Sequence, residues 1–467
     1  MGSKVLVLGG GVSGLSVAWA LSEKGVEVEL IEAGSPEIGG LAATVKKEGY
    51  LLDYGPHFFL SERSDVVKRI TSLFKEEMPM VRRDAKLYFH GKYLNYPLTV
   101  KNVLLELSIF DSAMIASSYF MRKFTNSIKK FFKKESDVNF ELWAKNAFGN
   151  YLYKLFFRPY TEQFWKINCR ELSPDSIPTN TQLSFFSTLK LLFKRNIVKK
   201  NLSLVERETT LPLRYPKWGV GMIPEAIADT AKKHGAKIET GFKVEKIKKE
   251  KNGKFAVTAV KKGKQKKFSG DMVISTIPLT EAMKILEPAP PQEVLESSKK
   301  LNFLSLIVLY IVTPNKEILS SQYLYLLGTP FNRIAEINKF SKHLCPEDEN
   351  MLAVEVSCHR DGELWKKSDE EIFEMCITNL EKRKILSRKD AKKYFVLRAP
   401  YAYPIYFKDY KVHLNNLFDY ADSIGSFKLL GRSGRYLYMD MDYCIIRAFD
   451  LAEEVLKEIK NGNGIKD

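Results

Sequence analysis

Three glycines and one acid supply the first chemistry in this chain. Gly9, Gly11 and Gly14 keep the spacing G-x-G-x-x-G behind the apolar run Lys4-Val5-Leu6-Val7-Leu8, and Glu32 follows an alternating run from Val26 to Ile31. That spacing suits the pyrophosphate of a nucleotide. The first glycine permits a tight turn, the second lets the backbone approach the phosphates, and the third lets a helix pack close to its strand. Phosphate charge would rest on the orphan N–H groups and positive dipole end of that helix, where Val12 and Ser13 lie. Glu32 stands where a carboxylate can accept hydrogen bonds from both ribose hydroxyls. Farther along, Arg158, Tyr160 and Glu162 are polar groups in a strongly apolar run, so each must be paired or face a cavity. The five cysteines, Cys169, Cys345, Cys358, Cys376 and Cys444, stand singly, and the six histidines show no H-x-x-x-H pairing. Neither a metal site nor a disulfide framework is expected, and a reducing cytosol fits best.

Particular elements must hold these groups. The run before Gly9 reads as a strand buried on both faces, Leu15, Ala18 and Leu21 put an apolar stripe on the helix that follows, and Gly25 is placed to end it. Asp84 to Tyr96 reads as a hairpin around His90-Gly91, stopped by Pro97. From Thr99 the period becomes helical, with Val103, Leu104, Leu107 and Phe110 followed by Met114 and Ile115, so residues 99–200 form a mostly helical insertion. Its aromatic and methionine content suits either a substrate tunnel or ordinary core, and Pro159 is expected to interrupt one of its helices. Pro224 opens a helix through Lys233, Ala236 to Lys248 supplies the next strand, and Lys254 to Phe268 forms a meander turning at Gly263. Beyond the proline-rich Glu287–Pro291 connector, Phe303 to Val312, Gln322 to Leu327 and Leu352 to Ser357 read as strands of a second sheet. At the end, Ile445, Ala448, Phe449, Ala452, Leu456 and Ile459 make an apolar helix face.

Gly39-Gly40-Leu41-Ala42 and Gly49-Tyr50-Leu51-Leu52-Asp53-Tyr54-Gly55-Pro56-His57 resemble the flavoproteins of the amine oxidase, protoporphyrinogen oxidase and phytoene desaturase superfamily. The resemblance implies FAD, with Gly39, Gly40 and Leu41 along the cofactor and Gly55, Pro56 and His57 facing the isoalloxazine. His57 is then the candidate polar group beside the reacting atoms. Glu37 departs from the pattern, because many members carry an arginine there. Gly-Pro-His also resembles UDP-galactopyranose mutases, whose diphosphate-binding arginine makes Arg333 a substrate candidate; a surface ion pair is the other use for it. Residues 148–173 are similar to bacterial and archaeal proteins described as protoporphyrinogen-oxidase-like, which adds Arg158 and Tyr160 as substrate candidates. Arg214 to Met222 resembles the same branch, Val244 is placed as in members that contact adenine through the backbone, and Asp271 to Pro278 resembles the strand that closes the nucleotide sheet. Gly431, Arg432, Tyr438, Met439 and Met441 fall on the C-terminal cofactor segment, with Tyr436 as a further substrate candidate. There the terminal helix would aim its N-terminus at flavin O2.

The expected architecture is α/β: a Rossmann-type FAD-binding domain of the GR2 type, with a discontinuous substrate domain of mixed sheet and helical insertion. Residues 1–75, 205–290 and 420–467 are assigned to the first and 76–204 and 291–419 to the second. The expected function is an FAD-dependent oxidoreductase that removes a hydride equivalent from a C–H or C–N bond. A flavin-dependent sugar-nucleotide mutase is the alternative, and a non-catalytic binding protein of the GDP-dissociation-inhibitor type is the third. No apolar segment reaches the length of a spanning helix, and no secretion signal is expected, so the protein is placed in the cytoplasm, with a peripheral position at the inner face of the membrane as the alternative. The net charge of +17 admits an anionic membrane surface or an anionic substrate, and nucleic acid is not expected. Lys129-Lys130-Phe131-Phe132-Lys133-Lys134 and the stretch Phe185 to Lys200 read either as membrane-surface patches or as solvated helix faces.

Overall fold

The computed structural model describes residues 3–74, 78–89, 91–95, 108–129, 139–176, 207, 211–314 and 316–463. Val103, Leu104, Leu107, Lys130 to Lys134 and Phe185 to Lys200 lie outside them. Strand β1 (Lys4–Leu8), helix α1 (Val12–Ser22) and strand β2 (Glu27–Glu32) form the expected crossover, with β1 and β2 parallel from Lys4↔Glu27 to Leu8↔Ile31. They belong to a five-stranded parallel sheet in the order Phe427–Leu429, Met272–Ser275, β1, β2, Lys237–Thr240. The strand after Asp271 is therefore internal, and Phe427–Leu429 holds the edge. All of α1 is buried, where the sequence offered only a stripe. It packs against the helices Met222–Lys233 and Met441–Asn463 as well as the sheet, and small serines let it do so, Ser22 returning its hydroxyl to the Trp19 carbonyl at 3.1 Å. The terminal helix meets α1 through Ile445, Ala448 and Ala452, with Phe449, Leu456 and Ile459 partly buried beside them.

Ala236 to Lys248 divides in two. Gly241, at φ +78°, turns the chain out of the parallel sheet, and Lys243–Lys249 enters an antiparallel sheet with Phe255–Lys261 and Lys264–Gly270. A third sheet has seven strands: Lys393–Pro404, Phe303–Pro314, Glu349–His359, Arg333–Glu336, Tyr323–Leu326, Ala85–Phe89 and Lys92–Asn95. Its long central strands are buried on both faces, which is why they read as unbroken apolar runs. Pro159 does not break its helix. A π-turn over Tyr153–Phe157 widens the helix just ahead of Arg158–Trp165, and the proline falls in the first turn of that second segment. The N–H of Arg158 closes that π-turn on the Tyr153 carbonyl, and Pro159 follows it without ending the helix. All five cysteines are buried and free, and no cluster of metal-ligating side chains occurs among the described residues. No described helix is long and apolar enough to cross a membrane.

Two glycines of the turn after β1 serve the fold itself. A Cβ at Gly14 would lie 2.0 Å from the Gly9 carbonyl oxygen, and one at Gly9, where φ is +101°, would lie 2.4 Å from Thr276 Oγ1. Gly11 differs: φ is −72°, and a Cβ there meets only the Gly39 carbonyl at 4.0 Å. Gly14→Ala should therefore lower apoprotein stability by about 1–3 kcal/mol, while Gly11→Ala should stay within about 0.5 kcal/mol of the parent. Urea midpoints of the two variants check this, and equal losses would contradict the assignment.

Candidate active site

The Glu32 side chain, expected to meet a ribose, lies against the glycine turn and is held by backbone N–H groups. One carboxylate oxygen accepts the Gly10 N–H at 2.5 Å and the other the Gly34 N–H at 2.6 Å, and the Phe242 N–H donates to the Glu32 carbonyl at 2.8 Å. Val244 follows two residues later on the neighbouring strand. The Gly39-Gly40 doublet, both residues at positive φ, lies across the glycine turn after β1. Gly39 donates to the Gly10 carbonyl at 2.8 Å and bridges to Gly11, and a side chain at Gly40 would meet the Gly11 Cα at 3.4 Å. Leu41 packs against the core of the seven-stranded sheet. A Cβ at Gly431 would strike Ser13 Oγ at 2.8 Å, so the C-terminal turn closes on the first turn of α1. The turn, doublet and C-terminal segment are thus brought together, and only Gly11 has open space in front of it. Those residues fit a dinucleotide whose pyrophosphate crosses Gly11.

His57 lies on a second, aromatic wall. Its Nδ1 is enclosed without a hydrogen-bond partner among the described residues. Burial first, then the charges of Arg333 and Arg432, push its pKa down to about 4, so the imidazole is neutral near pH 7. The Gly55 main chain opposes the shift without giving Nδ1 a formed hydrogen bond. Arg333 is not on the surface. Its Nε and Nη2 donate to Glu355 Oε1 at 2.9 and 2.6 Å across paired strands, and its guanidinium lies 4.7 Å from the Tyr323 ring centre and 5.8 Å from that of Tyr325. A Cβ at Gly55, where φ is +87°, would come within 3.0 Å of Glu355 Oε1, so glycine lets this pair approach the turn. Arg432 donates to the Ala402 carbonyl at 2.6 Å and lies beside Tyr403 and Tyr438, which stack at 6.0 Å; its Nε has no partner among the described residues.

Several sequence candidates take other places. Tyr160 reaches the wall, stacking on Phe156 and meeting Tyr325 at 6.5 Å. Arg158 does not: it is exposed and pairs with Glu162 at 3.2 Å one turn away, so its charge is satisfied in water. Tyr436 is fully buried, and its hydroxyl lies 2.6 Å from the carbonyls of both Asn302 and Ile405, which makes it a structural corner instead of a substrate contact. Met439 is core, and Met441 opens the terminal helix.

Two clusters went unseen in the sequence. Asp53 is buried and accepts from Thr44 Oγ1 at 2.6 Å and Tyr215 Oη at 2.5 Å, while its carbonyl accepts from Tyr310 at 2.7 Å and that of Pro56 from Tyr323 at 2.9 Å. Arg207, buried, pairs with Asp440 at 2.9 Å, Asp442 at 2.5 Å and Glu62 at 3.1 Å at the start of the terminal helix. An acid in the Asp53-Tyr54-Gly55-Pro56 turn was visible. Its partners, distributed from Thr44 to Tyr310, follow no period.

The His57 shift has a measurable consequence. Below the ordinary value of 6.5 the unfolded chain binds a proton at this residue, while the folded chain stays neutral down to about 4. Apoprotein stability should therefore fall by about 1–3 kcal/mol from this residue as the pH drops through that window. His57→Gln should lack the component, and matching pH–stability curves for the two proteins would rule it out.

The flavin-containing amine oxidoreductase family model matches residues 12–399. Coproporphyrinogen III oxidase of Bacillus subtilis is 36% identical over 80 residues, covering 16% of this chain and 17% of that protein. Carotenoid 3,4-desaturase of Haloarcula japonica is 37% identical over 76 residues, 16% of this chain and 15% of that one. The matched stretches thus span less than half the length of these curated relatives. The crystal structure of reduced UDP-galactopyranose mutase superposes with a TM-score of 0.80 at 20% identity, covering 98% of this chain and 94% of that one, a likeness of fold. With the model spanning the crossover helix, the Gly55-Pro56-His57 turn and the long central strands of the seven-stranded sheet, the chain belongs to the flavin-containing amine oxidoreductase family.

Proposed function

We infer that the protein is an FAD-dependent oxidoreductase removing a hydride equivalent from a C–H or C–N bond of a small-molecule substrate. The observation that carries this is the room in front of Gly11, taken together with the half-buried His57, whose Nδ1 is enclosed and whose imidazole is neutral. The oxidase and desaturase relatives support it. When bound, FAD supplies the two-electron chemistry. The chain supplies position: backbone at Gly11 and Gly40 for the pyrophosphate, Glu32 for the ribose, and the dipole of the Met441–Asn463 helix for negative charge at its N-terminus. The acids Asp440 and Asp442 would oppose that dipole effect, and Arg207 between them reduces the opposition. Tyr323, Tyr325, Tyr403 and Tyr438 exclude water from the His57 side, and a neutral imidazole repels neither a cationic nor an anionic substrate.

A sugar-nucleotide mutase is the second candidate, favoured by Arg333 beside the Gly55 turn and by the mutase fold. There Arg333 would hold an anionic group through charge-assisted hydrogen bonds. Glu355 already occupies two of its donors and neutralises its charge, which weakens that role.

Gly11→Val should purify without FAD and keep an apoprotein urea midpoint near the parent's, because the backbone angles suit valine and only the phosphate's space is filled. Full flavin content in that variant would refute the cofactor placement. Anaerobic mixing of oxidised enzyme with candidate amines, porphyrinogens and unsaturated lipids, followed by flavin absorbance, tests the reaction class. Bleaching by a substrate is expected. Turnover of a sugar nucleotide only after dithionite reduction, with no net use of reductant, would establish the mutase instead.

A further inference from the structure

The helix Ile109–Lys129 is turned the opposite way from an ordinary surface helix. Its polar groups face the protein: Asp111 accepts from the Tyr151 hydroxyl at 2.6 Å, Ser118 Oγ from the Tyr151 N–H at 2.9 Å, and Arg122 Nε donates to Asn146 at 2.9 Å. Ile115 and Tyr119 are the buried apolar residues of that side. Ile109, Phe110, Phe120, Met121 and Phe124 are between 60% and 92% exposed, and Met114 is 37% exposed. At about 100° per residue these six fall within roughly 140° of arc, with Ala113 and Ser117 between them and no charge among them. An outward face of this size on a water-exposed helix calls for a covering phase.

We propose that this face seats the protein on an anionic lipid bilayer, the helix lying along the surface with its phenylalanines in the acyl boundary. Charge selects the occupant. From Ser112 to Lys129 the chain carries Arg122, Lys123 and Lys129 and not one acid, on a protein of net charge +17. Apolar burial combined with attraction to acidic headgroups is the physics of interfacial helices. The helix does not cross the bilayer, because its inner side is committed to hydrogen bonds with the protein and no described helix is apolar enough to span.

Co-sedimentation of the flavin-loaded full chain with vesicles tests this. Phosphatidylcholine vesicles containing phosphatidylserine should pull the protein down at low salt, phosphatidylcholine alone should do so weakly, and added salt should release much of it. Phe120→Ser with Phe124→Ser should weaken partitioning at least about tenfold, with flavin content and urea midpoint unchanged because both side chains point away from the fold. The proposal fails if the parent stays in the supernatant with anionic vesicles at low salt, or if the double variant partitions as the parent does. It fails equally if the parent is a dimer that the double variant turns into a monomer, which would give the face to a second copy of the chain.

Discussion

The carboxylate of Asp53 holds the two halves of the site to each other. It ends the Tyr50–Asp53 strand, takes hydrogen bonds from Thr44 on the paired strand and from Tyr215 on the segment leading to the Met222–Lys233 helix, and is enclosed completely. Burial is the dominant influence and pushes its pKa up to about 6 against the pull of Thr44, Tyr215 and the Val220 N–H, which lies 3.4 Å away. A buried carboxyl of this kind is costly to leave unpaired, so its partners are tightly constrained. The same residue's carbonyl receives Tyr310 from the seven-stranded sheet. The Gly55-Pro56-His57 turn, which begins two residues later, is thus clamped to the sheet that bears Arg333 and Glu355.

Charge within the site is arranged to be nearly self-cancelling. Arg333 is answered by Glu355 and Arg207 by Asp440, Asp442 and Glu62, whereas Arg432 has carbonyls and tyrosine faces in place of an acid. Arginine suits each position because its planar fork spreads charge over several acceptors and stacks on rings. His57, which feels the charges of both Arg333 and Arg432, is kept neutral by desolvation and by these cations. The wall therefore presents aromatic faces and hydroxyls more than net charge.

The outer surface follows a different logic. Where the cofactor side of the fold covers even α1 on every face, the Ile109–Lys129 helix spends its polar groups inward on Tyr151 and Asn146 and leaves its phenylalanines outside. The inversion is legible only once the inner partners are known, since apolar periodicity alone assigns the apolar side to the core.

Sequence by itself determined the glycine turn after β1, the acid at Glu32 beside it, the Gly-Gly doublet, the glycine turn at Gly431 and most long strands. These are local features: a glycine needed by backbone geometry, or a run buried on both faces, leaves its mark in a few adjacent residues. Even there, the three glycines of the turn looked alike until the packing separated Gly9 and Gly14, which serve the fold, from Gly11, which faces open space. Tertiary structure decided which polar residues meet. Arg333 found Glu355 across a strand pair, Arg158 found Glu162 in water, Tyr436 turned inward to two carbonyls, and Asp53 gathered Thr44, Tyr215 and Tyr310. No spacing rule connects such partners, because the burial that makes each contact strong exists only after distant segments have packed together.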